Sequence, residues 1–140
     1  MLSLLLVTDT NIWIDLQNGE VLALIFKLPY QFITTDFAAD EMFTTFWESL
    51  EALGVEAYRL NPEQIMDVYV LNQNHPPVST TDLSCLVLAR DLAAILLSGD
   101  KPLRKLAEEH AIKVHGVLWV LDALVDHQII PPSQACLALK

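Results

Sequence analysis

The chain has 140 residues, 53% of them hydrophobic and 19% charged, which gives one domain with enough apolar material for a packed core and excludes a disordered chain. Only 8 Lys and Arg stand against 18 Asp and Glu, a net charge of -10 at pH 7, so the broad basic footprint of a typical nucleic-acid-binding surface is missing. Four Gly and seven Pro exclude collagen-like and linker-like chains.

Leu2–Thr8 is a compact apolar run that reads as a strand buried on both faces. Asp9 cuts it off, so it is too short to span a bilayer. It also lacks a basic start and a small-residue cleavage site. The expectation is a soluble, cytoplasmic protein with no membrane segment. A helical stretch follows from about Asn11 through Leu28, broken near Asn18-Gly19 and ended by Pro29. Gln31–Thr35 is a second strand. Residues 38–53 carry Ala39, Met42, Phe43, Phe46, Leu50 and Leu53 at helical spacing, with Gly54 as the C-terminal stop. Val55–Leu60 reads as a strand. Asn61-Pro62-Glu63 starts a helix with Asn61 as its cap, and Asn72–Val78 reads as a loop.

Ser79–Ala93 is apolar nearly all round and should be a central helix. Ala94–Ser98 is a buried strand ending at Gly99-Asp100. Lys101–His110 is a helix, Ile112–His115 a short strand, and Gly116 opens a helix over 117–127. Pro131-Pro132 breaks it, and Ser133–Lys140 forms a last helical piece. Strands alternating with helices imply an α/β fold with a mostly parallel sheet. Ligands of such sheets bind beyond the carboxyl ends of the strands.

Acidic residues gather at those places. Asp9 ends the first strand, Asp100 follows the Ala94–Ser98 strand, and Asp82 lies in the first turn of the central helix. Glu41 follows the second strand, with Asp40 beside it, and periodicity does not choose between the two. Singly, each acid has a plain structural explanation. Asp9 and Asp100 suit helix N-caps, Ser79-x-x-Asp82 resembles a capping box, and Glu41 can be a solvated acid. Together they are harder to dismiss. Asp82 shares a stripe with Leu86, Ala89 and Ala93, and a buried carboxylate is costly unless paired or metal-bound. Clustered carboxylates also raise one another's pKa. A hard cation such as Mg²⁺ or Mn²⁺ removes that penalty and supplies chemistry suited to a phosphodiester.

The sequence resembles the PIN-domain family of metal-dependent ribonucleases, which includes the VapC-like toxins. The resemblance rests on Asp9-Thr10-Asn11, Glu41-Met42, Ser79-Thr80-Thr81-Asp82 before Leu86-Val87-Leu88-Ala89, and Leu97-Ser98-Gly99-Asp100-Lys101-Pro102-Leu103-Arg104. The tail from Ala111 to Gly116 into a helix is also similar. The resemblance covers nearly the whole chain. It implies a three-layer α/β/α sandwich and acidic ligands for Mg²⁺ or Mn²⁺ at Asp9, Glu41, Asp82 and Asp100, which would be the catalytic set. Asn11 and Ser98 would support the site. It implies endonucleolytic cleavage of RNA by a water attacking phosphorus, and a toxin role in a toxin–antitoxin pair. Its partners would be a second copy in a homodimer and a basic antitoxin. The alternative is a catalytically silent PIN-like module that holds a metal or a basic peptide in the acidic pocket.

With so little basic surface, RNA would approach through a local patch of Arg104, Lys101 and Lys105. Other signals are weaker. His75, His110, His115 and His127 lack metal-ligand spacing and read as surface or loop residues. Trp13, Trp47 and Trp119 read as core or interface residues. Cys85 and Cys136 read as buried reduced thiols. The crowded apolar segment Leu118–Ile130 reads as a partner surface. No GxGxxG, Walker A or GxSxG motif occurs. A phosphoacceptor or haloacid-dehalogenase-type reading fails at Asn11, where the second acid would be needed.

Overall fold

The computed structural model describes residues 4–139. The expected start of the first strand at Leu2 and the end of the last helix at Lys140 lie outside them. Five short strands form one parallel sheet: β1 (Leu4–Thr8), β2 (Tyr30–Thr35), β3 (Glu56–Tyr58), β4 (Ile95–Leu97) and β5 (Val114–His115). Their order is β3-β2-β1-β4-β5, and all four pairings run parallel. β1 is central. Its neighbours pair Val7 with Ile33 on one side and with Leu96 on the other.

Alternate residues of these strands point to opposite faces, and each face buries its own set of helices. Val7, Ile33 and Leu96 meet α4 (Pro62–Asn74), α5 (Thr80–Leu92) and α6 (Lys101–Glu109). Leu6, Phe32 and Leu97 meet α1 (Thr10–Asn18), a 3₁₀ segment (Leu22–Lys27) and α7 (Val117–Asp126). The result is the expected three-layer α/β/α arrangement. α8 (Pro132–Ala138) packs on α7. Within α5 every residue from Leu83 to Ala89 is buried, as its nearly continuous apolar character requires. Truncating a fully buried leucine such as Leu86 removes about 2–5 kcal/mol of stability.

The single helix expected over 38–53 is two. α2 (Asp36–Glu41) ends at Met42, which is extended (φ -80°, ψ 152°), and Phe43 is extended too before α3 (Thr44–Ala52). The break has a packing cause. Ala38 of α2 is buried on the α5 side of the sheet, Leu50 of α3 on the α1 side, and Met42 touches both cores. One straight helix cannot serve both faces. Phe43, expected in the apolar stripe, is left 86% exposed at the crossing.

Other differences are smaller. The second half of the expected 11–28 helix is 3₁₀ rather than α. α4 continues to Asn74, into the expected loop. Cys136 is exposed, whereas Cys85 is buried as expected. The 118–130 segment is not an open apolar surface. Val120, Leu121, Ala123, Leu124 and Ile130 are buried, and Leu118 alone among its large apolar residues is strongly exposed. Ala93 is exposed as well, so the buried stripe above Asp82 stops at Ala89. Among the described residues no helix is long and apolar enough to cross a membrane.

Candidate active site

β1 is followed by a chain path to β2 on one side, and β4 lies on its other side, so the strand order reverses between β1 and β4. That reversal opens a crevice at the carboxyl ends of the two strands. Asp9 follows β1 and Asp100 follows β4 by three residues. The Asp9 N–H donates to the Leu97 carbonyl at 3.2 Å, holding the two strand ends together.

Asp9 and Asp100 are both helix N-caps. Asp9 Oδ1 accepts the Ile12 N–H at 2.9 Å and opens α1. Asp100 Oδ2 accepts the Leu103 N–H at 3.0 Å and opens α6. Capping is thus real, but it uses one oxygen of Asp9. The residue is only 1% exposed, and its Oδ2 has no hydrogen-bond partner among the described residues. A buried, orphaned carboxylate oxygen is costly, and capping does not explain it.

Ser98 ties the two acids together. Its hydroxyl accepts the Asp100 N–H at 3.1 Å, fixing the turn after β4. The same hydroxyl lies near enough to Asp9 to draw its pKa down, without bonding to the orphaned Oδ2. Burial nevertheless dominates and pushes the Asp9 carboxyl up to about 6. Asp82 and Asp100 raise it further, and the Ile12 N–H opposes them.

Asp82 sits in the first turn of α5, half-buried, and its N–H donates to Ser79 Oγ at 3.1 Å. Its carboxyl is raised by burial first, then by Asp100, with a smaller push from Glu41 and a counter-pull from the Ser79 hydroxyl. α5 is registered against β2 by the Thr35 hydroxyl, which lies 2.8 Å from Ser84 Oγ and caps α2 through the Ala38 N–H. Thr35 therefore couples the placement of α2, which ends in Glu41, to that of α5, which begins near Asp82.

Glu41 is exposed at the last residue of α2. Its charge reaches Asp82. The four acids thus form one electrostatic cluster: Asp9 with Asp82 and Asp100, Asp82 with Asp100 and Glu41. Among the described residues no three carboxylate, imidazole or thiol groups stand close enough to hold an ion as they are. The donor set is all carboxylate and hydroxyl oxygen, with one orphaned acceptor at its buried centre. It fits a hard divalent cation and not a soft one.

The supporting residues divide. Ser98 is fully buried between Asp9 and Asp100. Asn11 is exposed in the first turn of α1 and makes no side-chain hydrogen bond among the described residues. The expected basic patch also divides. Lys101 is exposed at the start of α6. Arg104 borders a cleft of about 460 Å³ with Gly99, His115, Gly116 and Trp119. Lys105 borders a different hollow, with Asn74 and His75. A second cleft, of about 600 Å³, runs from Thr10 and Glu41 to Met42, Phe43 and Phe46. Sequence reasoning passed over Thr10, whose buried Oγ1 is also unpartnered, and gave no role to His115. Thr10 had a sequence signal, because it follows Asp9 directly, whereas the place of His115 beside β4 is a pairing that only the fold shows.

A family profile described as PIN domain (DUF3368) matches residues 5–139. A search of curated proteins finds no match. Among solved structures, the chain is similar to a PilT N-terminus domain protein from the hyperthermophilic archaeon Sulfolobus solfataricus P2. The identity is 13% and the TM-score 0.53, over 86% of this chain and 92% of that one. At that identity the likeness concerns the fold. The profile spans almost the whole chain, and the protein belongs to the PIN-domain family, whose fold is generally that of a nuclease.

Proposed function

We propose that the protein is a metal-dependent endoribonuclease with its centre at Asp9, Glu41, Asp82 and Asp100. The observation that carries the reading is the buried, unpartnered Oδ2 of Asp9 beside three further carboxylates, at the point where the strand order reverses. Those four side chains would hold Mg²⁺ or Mn²⁺, both of which prefer oxygen ligands. When bound, such a cation activates water and offsets the charge of a phosphodiester transition state.

The chain's own residues do the positioning. The cap bonds to Ile12 and Leu103 fix the backbone on either side of the crevice. Ser98 sets the turn that presents Asp100. The Thr35–Ser84 contact fixes α2 against α5. Thr10 borders the cleft that leads away from Glu41, and Arg104 borders the one that leads away from Gly99. A single strand of RNA laid across the strand ends would meet both. By its resemblance to VapC-like toxins the protein would act as the toxin of a toxin–antitoxin pair, and a net charge of -10 suits a basic antitoxin segment competing for the same carboxylates. A homodimer is part of this reading.

The test is cleavage of an unstructured RNA by the purified chain in Mn²⁺, in EDTA, and with Asp100→Asn. Cleavage in Mn²⁺ alone, lost in the variant, is expected. Undiminished cleavage by Asp100→Asn defeats the assignment. Absence of cleavage in every lane, with Mn²⁺ still binding, favours a silent binding module.

A further inference from the structure

The cleft beside Gly99 contains three features that the carboxylate centre does not use. The first is a stack of rings. Tyr30 lies against Trp119 at 5.8 Å and 22°, and Trp119 against His115 at 4.8 Å and 6°. His115 and Trp119 border the cleft and Tyr30 does not, so the stack is backed by the protein and terminates at the cleft. The second is Arg104. It is half-buried and borders the same cleft, yet it forms no ion pair among the described residues of an acidic protein, where Arg90 alone is paired. The third is Gly116. Its backbone is extended (φ -111°, ψ -167°), which any residue tolerates. A Cβ there would instead stand 3.1 Å from Arg104 Nη1. The missing side chain makes room for the guanidinium.

We infer that this cleft is the subsite for the nucleotide adjoining the scissile phosphate, with Arg104 on a backbone phosphate and a base stacked against the His115–Trp119 pair. The inference rests on the proposed ribonuclease reading and names where its substrate is gripped. An arginine fork suits phosphate oxygens, and aromatic faces hold unpaired bases without needing a large basic surface. That combination answers how RNA is held by a chain of net charge -10. Burial, then Arg104 and Lys113, lower the His115 pKa. Asp15 and Asp122 border the same cleft. They repel phosphate, and Arg104 is the cation among the residues that line the cleft.

The experiment measures KM and kcat in Mn²⁺ for a short single-stranded RNA, and binding of the same RNA by Asp100→Asn in Mn²⁺. Each is repeated with His115→Ala, His115→Phe and Arg104→Ala, after thermal unfolding confirms that each variant folds. Loss of the stacking face should weaken binding and raise KM by about tenfold, with kcat little changed. His115→Phe, which keeps a ring to stack, should restore both. Arg104→Ala should raise KM and flatten its salt dependence. Unchanged KM and affinity in His115→Ala and Arg104→Ala overturn the subsite, as does an RNA that does not bind at all. If the wild type binds but never cleaves, the nuclease reading fails while the binding arm still decides the subsite.

Discussion

Asp9→Asn should make the metal-free protein more stable while disabling it. Burial pushes the folded Asp9 carboxyl up to about 6, against an ordinary value of 3.8. Because the folded state binds the proton more tightly than the unfolded chain, ionising Asp9 opposes folding. The penalty is absent below the unfolded pKa, grows through the window between 3.8 and about 6, and is complete above it. A rise of that size corresponds to about 3 kcal/mol at neutral pH. Asparagine keeps the oxygen that caps the Ile12 N–H, but its amide brings a donor to the unpartnered Oδ2 position, so about 3 kcal/mol is an upper value. For a domain of this size each kcal/mol moves Tm by about 2–4 °C. The assay is urea unfolding in EDTA at pH 7.5 and pH 4.5. The variant should lead at pH 7.5, and its lead should shrink to about 1 kcal/mol or less at pH 4.5. Excess Mn²⁺ should reverse the order, because only the wild type gains binding energy, about 4.1 kcal/mol at a thousandfold excess over Kd. A variant less stable at both pH values in EDTA, or a lead independent of pH, would refute the assignment of Asp9 as a buried charge awaiting a cation.

Three further outcomes follow from the same geometry. Ser98→Ala removes the acceptor for the Asp100 N–H and the hydroxyl that lowers Asp9. Metal affinity, measured by calorimetry, should fall by about tenfold or more, and the Asp9 pKa followed by NMR should rise. Gly116→Ala should leave unfolding nearly unchanged, because the group it meets is the mobile end of Arg104, while KM for RNA increases. Alkylation of the native protein should modify the exposed Cys136 and spare Cys85, whose thiol burial pushes far up; mass spectrometry should find one adduct before unfolding and two after it.

Much of the architecture was legible because it depends on local apolar pattern. The run ending at Asp9, the Ala94–Ser98 strand and the largely apolar Leu83–Ala89 segment read as buried sheet and central helix. Asn61 was legible as a cap, and it forms a full capping box with Gln64. The break at Met42–Phe43 was not legible. No glycine or proline marks it, and its cause is the passage of the chain from one sheet face to the other. The positions of Asp9 and Asp100 were legible because each follows an apolar strand, and parallel strands bring those ends to one edge of the sheet. Local pattern does not separate the adjacent acids Glu41 and Asp40, because closeness to Asp82 is a tertiary property. The Arg104–Gly116 fit and the His115–Trp119 stack join α6, β5 and α7, so the sequence carries no local sign of either.

The most direct measurement is the Mn²⁺ dependence of RNA cleavage, overlaid on the Mn²⁺ binding isotherm of the same preparation. A catalytic cation predicts that the two curves coincide, and that Asp82→Asn shifts both to higher Mn²⁺ together. Cleavage that persists in EDTA, or binding that saturates without cleavage ever appearing, would contradict it.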